Sequence, residues 1–151
     1  MKSQSDANIA ARFNYVASTD ITRFYHSIYT HSIAWSLHGK GVAKANRSDI
    51  SLLGNRIDTL VRNAQDGQTI GIPVGPDTSR IIAEVIGAGI DAIIADIDGP
   101  RRGDLIRFVD DITGGANTIE EADHLVSTFR RAAHAYELEL NDSKKQRQKH
   151  K

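Results

Sequence analysis

Cysteine is absent from this 151-residue chain, and proline, tryptophan and methionine are scarce at three, one and one residues. Without cysteine there is no disulfide framework, no thiolate metal site and no cysteine nucleophile. A surplus of either charge is missing as well. Lys+Arg and Asp+Glu are both 19, so no global field draws the chain to nucleic acid or membrane, and any such contact must come from local patches. No apolar run approaches the roughly 20 residues of a membrane span. The opening stretch, MKSQSDANIAARFN, also lacks an apolar signal core, so a soluble, cytoplasmic protein is the expectation. What is present is ordinary globular material: 40% hydrophobic and 25% charged residues, in a length that suits one domain with one core.

Met1 to Ala11 reads as a polar lead-in that could be helical. Phe13, Tyr15 and Ala17 alternate with polar neighbours between Arg12 and Asp20, which predicts a strand ending at Asp20. Phe24, Ile28 and Trp35 then recur at near-helical spacing and predict a helix from Thr22 towards Gly39, followed by a basic connector to Arg47. Ser48 or Asp49 would cap the next helix, whose apolar face is Ile50, Leu53, Ile57, Leu60, Val61 and Ala64. Asp66-Gly67 is a turn signal, and the segment Gly71 to Pro76 carries too much proline and glycine for regular structure.

Asp77 or Thr78 opens a helix through Ile81, Ile82, Val85 and Ile86, which Gly87 and Gly89 weaken near its end unless close packing is their purpose. Asp96 to Gly103 reads as a turn region. Leu105 to Thr113 reads as a hairpin with Asp110 and Asp111 at its tip. Thr118 to Glu121 is a capping box, and Ile119, Ala122, Leu125, Val126, Phe129, Ala133 and Tyr136 are the stripe of the helix it opens. Leu138 to Leu140 could be a closing strand, and residues 144–151 form a basic tail expected to be disordered. Strand, helices, hairpin, helix, strand is an α+β order: a small antiparallel sheet with helices packed on one face.

Three aspartates carry the chemical argument. If the strand ending at Asp20 neighbours the hairpin, Asp20 and Asp110 project side by side, and paired carboxylates repel unless cations neutralise them. Two Mg²⁺ ions bridging them would form a two-metal site for in-line phosphoryl displacement. Asp110-Asp111 read alone is equally ordinary turn chemistry. His26, His31 and His38 do not share one helix face and have no carboxylate to complete a cluster, which argues against zinc. Trp35 and Tyr29 read as core, and Lys40, Lys44, Arg47, Arg101 and Arg102 as solvated charges that could touch phosphates.

Asp20-Ile21-Thr22-Arg23-Phe24-Tyr25 resembles motif A of reverse transcriptases. Gly71 to Ser79 (GIPVGPDTS) resembles their motif B, Arg107-Phe108-Val109-Asp110-Asp111 their motif C, and Leu138 to Asn141 with Lys144 their motif D. The surrounding wording, SIYTHSIAWSLHGK and QTIGIPVGPDTSR, is similar to bacterial reverse transcriptases of the abortive-infection, phage-defence type. The resemblance implies a polymerase palm with a ferredoxin-like βαββαβ core over residues 1–143. It implies two-metal nucleotidyl transfer from a dNTP to a primer 3′-hydroxyl on an RNA template, with Mg²⁺ or, in its stead, Mn²⁺.

Carried over residue by residue, Asp20, Asp110 and Asp111 with the Ile21 carbonyl would be metal ligands. Tyr25 would be the steric gate against a ribose 2′-hydroxyl, the alternative being a core aromatic beside Phe24. Pro73, Val74 and Gly75 would lie under the nascent base pair, although Val74 stands where many members have Gln. Lys144 would serve the pyrophosphate leaving group, the alternative being one solvated charge in the tail.

The expectation for the chain is a palm without fingers or thumb, feeble in catalysis because positioning matters as much as metals. A non-catalytic palm-like binding or assembly module, or an inactive truncated fragment, is the rival reading, with a nucleotide cyclase on a similar palm a weaker third. Membrane partners are not expected, and homo-oligomer formation is left open.

Overall fold

The structure, a computed structural model, describes residues 2–98, 105–141 and 144–147. Helix α1 (Lys2–Arg12) leads into strand β1 (Tyr15–Asp20). Helices α2 (Phe24–Ser27), α3 (Ser32–His38), α4 (Lys40–Ala45), α5 (Leu53–Asn63) and α6 (Asp77–Asp98) follow. The hairpin β2 (Leu105–Phe108) and β3 (Asp111–Ala116), helix α7 (Ile119–Ala135) and strand β4 (Lys144–Arg147) complete an α+β fold. All strand pairs are antiparallel, in the order β2-β3-β1-β4.

Helix α7 forms as its sequence requires. The Thr118 hydroxyl accepts from the Glu121 N–H at 3.2 Å, and the Glu121 carboxylate accepts from the Asn117 N–H at 2.8 Å. This satisfies donors that the first turn leaves open. Its stripe of Ala122, Leu125, Phe129 and Ala133 is buried with Ala17, Ile21, Ile112 and Ala116 of the sheet side and Ile86, Ile90 and Ile94 of α6. The expected first member, Ile119, is exposed.

The other face of the sheet is more open. Val16 opposes Gly115 there, and Phe13, just after α1, covers Gly115 so closely that a Cβ would meet its ring at 2.2 Å. Helices therefore pack chiefly on one face, with the end of α1 closing one part of the other.

Several expected elements differ. The helix expected from Thr22 to Gly39 is broken, because the chain around Ile28 pairs with a later loop. Gly71 N–H donates to Ile28 O, Thr30 N–H donates to Thr69 O, and Tyr29 bridges Ile70. The connector after Gly39 is helical, because Ala43 is buried and Lys40 Nζ sits 4.0 Å over the Trp35 ring.

Neither Ser48 nor Asp49 caps α5. Asp49 instead accepts from the Ser51 N–H and hydroxyl in a local turn. Only part of the predicted apolar face of α5 turns inwards: Ile57 and Val61 pack half-buried against the core, Leu53 and Leu60 are 51% and 65% exposed, and Gly54, Asn55 and Asp58 are buried.

Helix α6 runs through Gly87 and Gly89 to Asp98, because both glycines leave room for incoming side chains. A Cβ would lie 2.4 Å from the Arg107 guanidinium carbon at Gly87 and 2.0 Å from the Tyr136 hydroxyl at Gly89. The rest of the expected turn, from 99 to 103, lies outside the described residues. Leu138 to Leu140 contributes one bridge, Leu140 to Ile21, and the closing strand is β4. The disordered-tail expectation thus gives way over Lys144–Arg147, and residues 148–151 lie outside the described residues.

Candidate functional site

The two aspartate motifs meet at one end of the sheet. In the β1–β3 register Asp20 stands opposite Asp111, and the Ile21 N–H donates to the Asp110 carbonyl at 2.9 Å. Directly opposed residues of an antiparallel pair share a face. Val16–Gly115 and Ser18–Thr113 lie on that face, so Asp20–Asp111 lies on the more open side of the sheet. The Ser18 and Thr113 hydroxyls, 3.4 Å apart, fix the register one step further in. The expected neighbour of Asp20 was Asp110. It sits in the turn instead, and Asp111 is the opposed residue, because β3 begins at Asp111.

The hairpin tip is held from outside. Val109 has φ +57°, a strained conformation for a β-branched residue. Its carbonyl accepts from Arg107 Nη1 at 3.0 Å. The same guanidinium donates through Nε to Asp91 at 3.0 Å and through Nη2 to Glu84 at 3.0 Å. Glu84, Gly87 and Asp91 follow one another along α6 with Gly87 as the gap that admits Arg107. Burial alone would make the guanidinium easier to deprotonate, but the hydrogen bonds and charges of Glu84 and Asp91 outweigh it and hold Arg107 more firmly protonated than usual.

Asn141 ties the segment after α7 to Asp20. Its amide Nδ2 donates to Asp20 Oδ2 at 2.5 Å, its N–H donates to the Asp20 carbonyl at 2.9 Å, and its Oδ1 accepts from the Thr22 hydroxyl at 3.0 Å. Thr22 N–H donates to Glu139 O. Among the described residues, the loop bonds at Asp20, Ile21 and Thr22 use the Asp20 carbonyl and the Ile21 and Thr22 N–H groups; the resemblance assigns the Ile21 carbonyl to a metal.

Tyr25 lies on α2, half-buried, with its ring edge-on to Phe24 at 5.9 Å. Its carbonyl accepts from the Ile72 N–H at 2.8 Å, which docks the proline–glycine loop on the segment after Asp20. Gly71 adopts φ +87° against the His26 carbonyl, and Pro73, Val74 and Gly75 extend exposed beyond that anchor. Lys144 opposes Ser18 in the β1–β4 register, two residues before Asp20 along the neighbouring strand.

Among the described residues no group of three or more His, Cys, Asp or Glu side chains is arranged to hold a metal ion. Mg²⁺ asks for less from a protein: one or two carboxylates, with water and substrate phosphates completing its shell. The cross-strand carboxylates of Asp20 and Asp111 are hard oxygen donors of that kind; among the described residues a cation would share Asp20 with Asn141, and Asp111 with the group it already engages.

Sequence reasoning allowed close packing as the purpose of Gly87 but missed the Arg107 clamp that packs there. The signal available was a glycine between two acids at helical spacing, Glu84 and Asp91, facing a lone arginine beside the hairpin tip. Among the described residues no helix is long and apolar enough to cross a membrane. The chain matches no protein-family profile and no curated protein.

Proposed function

We propose that the end of the sheet around Asp20, Asp110 and Asp111 is the nucleotidyl-transfer centre of an RNA-directed DNA polymerase palm, acting in the cytoplasm in antiphage defence. One observation carries this reading: the register brings Asp20 opposite Asp111 and bonds Ile21 to Asp110, joining two motifs far apart in the chain. The strand order β2-β3-β1-β4 and the succession strand, helices, hairpin, helix, strand also support a ferredoxin-like βαββαβ palm. Bound Mg²⁺ ions, or Mn²⁺ in their place, would neutralise the carboxylates, activate a primer 3′-hydroxyl and stabilise the leaving pyrophosphate.

In this reading the chain's own residues act as holders and positioners. Asp20 and Asp111 present their carboxylates on the open face, and Asp110 joins them from the turn. Asn141 orients Asp20 through its amide, and Arg107 keeps the tip in its strained form. Tyr25 closes the dNTP site to a 2′-hydroxyl. The exposed Pro73–Gly75 backbone lies under the pair formed by the incoming nucleotide and the RNA template. Lys144 gives a proton to the departing pyrophosphate.

The test is single-nucleotide addition to a DNA primer on an RNA template, with the chain in excess, in Mg²⁺ and in Mn²⁺. Metal-dependent addition should fall at least about 100-fold in Asp110→Asn, the scale lost when charge stabilisation of a transition state is removed. Equal addition by that variant contradicts the reading. Absence of addition by the wild type under both metals favours the second reading, a non-catalytic palm-like binding or assembly module. The observation behind that alternative is the exposure of Ile50, Leu53, Leu60 and Ile81, large apolar side chains that a lone domain gains nothing by showing to water.

A further inference from the structure

A cavity of about 200 Å³ is lined from α3, α4 and α5, elements other than those that carry the three aspartates. His31 lines it in a fixed pose. Its Nδ1 lies 2.6 Å from Asp58 Oδ2, and its ring meets Tyr29 edge-on at 4.7 Å. With Nδ1 engaged, Nε2 is the ring nitrogen left for a ligand. Lys44 and Arg47 line the same cavity, and neither has a carboxylate partner among the described residues.

The two carboxylates in the lining are already engaged. Asp58 lies between His31 and Arg62 Nε, at 2.6 and 3.2 Å, and Glu137 Oε1 is 3.7 Å from Lys40 Nζ. With those partners included, four fixed cations (Lys40, Lys44, Arg47 and Arg62) stand around two carboxylates (Asp58 and Glu137). The imbalance selects an anion. Size narrows the choice, because pockets for drug-sized ligands start at roughly 300 Å³. This cavity suits one oxyanion, with the remainder of any larger molecule outside.

We propose that the His31–Lys44–Arg47 cavity is a phosphate-binding site, taking inorganic phosphate or a phosphate of an oligonucleotide. Lys44 and Arg47 supply the charge and the donors, and His31, its Nδ1–H held by the buried Asp58, offers Nε2 as an acceptor for a phosphate hydroxyl. The proposal does not depend on the aspartate reading and survives its failure.

Trp35 is the chain's one tryptophan, lines this cavity, and has Lys40 Nζ at 4.0 Å and Lys44 Nζ at 5.6 Å from its ring. Its emission therefore reports on the site. Titration of the wild type with inorganic phosphate, chloride balancing the ionic strength, should give a saturable emission change. The double variant Lys44→Met, Arg47→Met should bind at least tenfold more weakly. Both side chains are exposed, so its fold should be intact by circular dichroism. His31→Gln should weaken binding too.

No saturable change, or equal affinity in the double variant, overturns the site. Competition by short oligonucleotides identifies the source. Displacement only by the 5′-phosphorylated strand means an end phosphate, and equal displacement by both strands means backbone phosphates. Displacement by neither means free phosphate.

Discussion

Aspartate is used in opposite ways in two regions of the molecule. On the open face of the sheet Asp20 and Asp111 oppose each other across two strands, a pairing that like charges disfavour. On α5, Asp58 is buried between His31 and Arg62 and bonded to both. The first arrangement sets two like charges face to face, with Asn141 bonded to Asp20 and Asp111 itself engaged, whereas the second helps fasten α5 to the segment before α3. Carboxylates that strain the fold where they stand are the better guide to chemistry. Those that join two elements are accounted for by structure.

The contrast is broken most forcefully at Asp58. Removal of one partner from a buried ion pair costs about 3–5 kcal/mol. His31 and Arg62 are 37% and 31% exposed and can turn to water, so Asp58→Ala should lose about 2–3 kcal/mol in urea unfolding. A loss below about 0.5 kcal/mol would remove the distinction between the two regions, since that is the range of ordinary surface changes.

Next in size is Gly87→Ala. Alanine is intrinsically favoured in a helix by about 1 kcal/mol, yet its Cβ would overlap the Arg107 guanidinium. A net loss of about 1–3 kcal/mol is expected, as for other overpacked sites. A gain would mean that the hairpin tip is not pinned to α6.

Smaller and opposite in sign is Asp20→Asn, which relieves the cross-strand repulsion while keeping an acceptor for Asn141. In the absence of divalent cations it should stabilise the fold by about 0.2–1 kcal/mol. A clear loss would make Asp20 a structural residue like Asp58.

The smallest effect belongs to Asp49, whose carboxyl is held below its ordinary value near 3.8 by hydrogen bonds from the Ser51 hydroxyl and N–H. A lowered folded-state value contributes stability above the unfolded value and loses it as pH falls through the folded one. The difference between wild type and Asp49→Ala should thus be steady from neutral to about pH 5 and close in acid, followed by melting temperature. A difference that widened in acid would contradict the assignment.

How far the sequence could be read follows the same division. Strand β1, the hairpin, the proline–glycine loop and α7 were legible because their determinants are local: alternation, turn residues and a capping box. The aspartate end of the sheet was legible with them, since its motifs sit at the ends of those elements, although which aspartate opposes Asp20 depended on where β3 starts.

Where tertiary contacts decide, the pattern misled. Ile28 leaves the helix because its carbonyl is claimed by Gly71, and α5 turns Gly54 rather than Leu60 inwards because Gly54 alone fits against Ala34, where a Cβ would lie 2.5 Å from the Ala34 backbone. The phosphate cavity was invisible for the same reason. His31 and Asp58 lie in separate segments and meet only once α3 and α5 are packed.

The measurement that tests the central claim most directly is thermal unfolding with and without Mg²⁺ at constant ionic strength. It should be run on the wild type, Asp20→Asn and the double variant Lys44→Met, Arg47→Met. A cation held at the aspartate end of the sheet stabilises only the folded state. Mg²⁺ should therefore raise the melting temperature of the wild type and of the cavity variant equally and leave Asp20→Asn unmoved. An equal rise in all three, or none in the wild type, would contradict a metal-binding site at Asp20, Asp110 and Asp111.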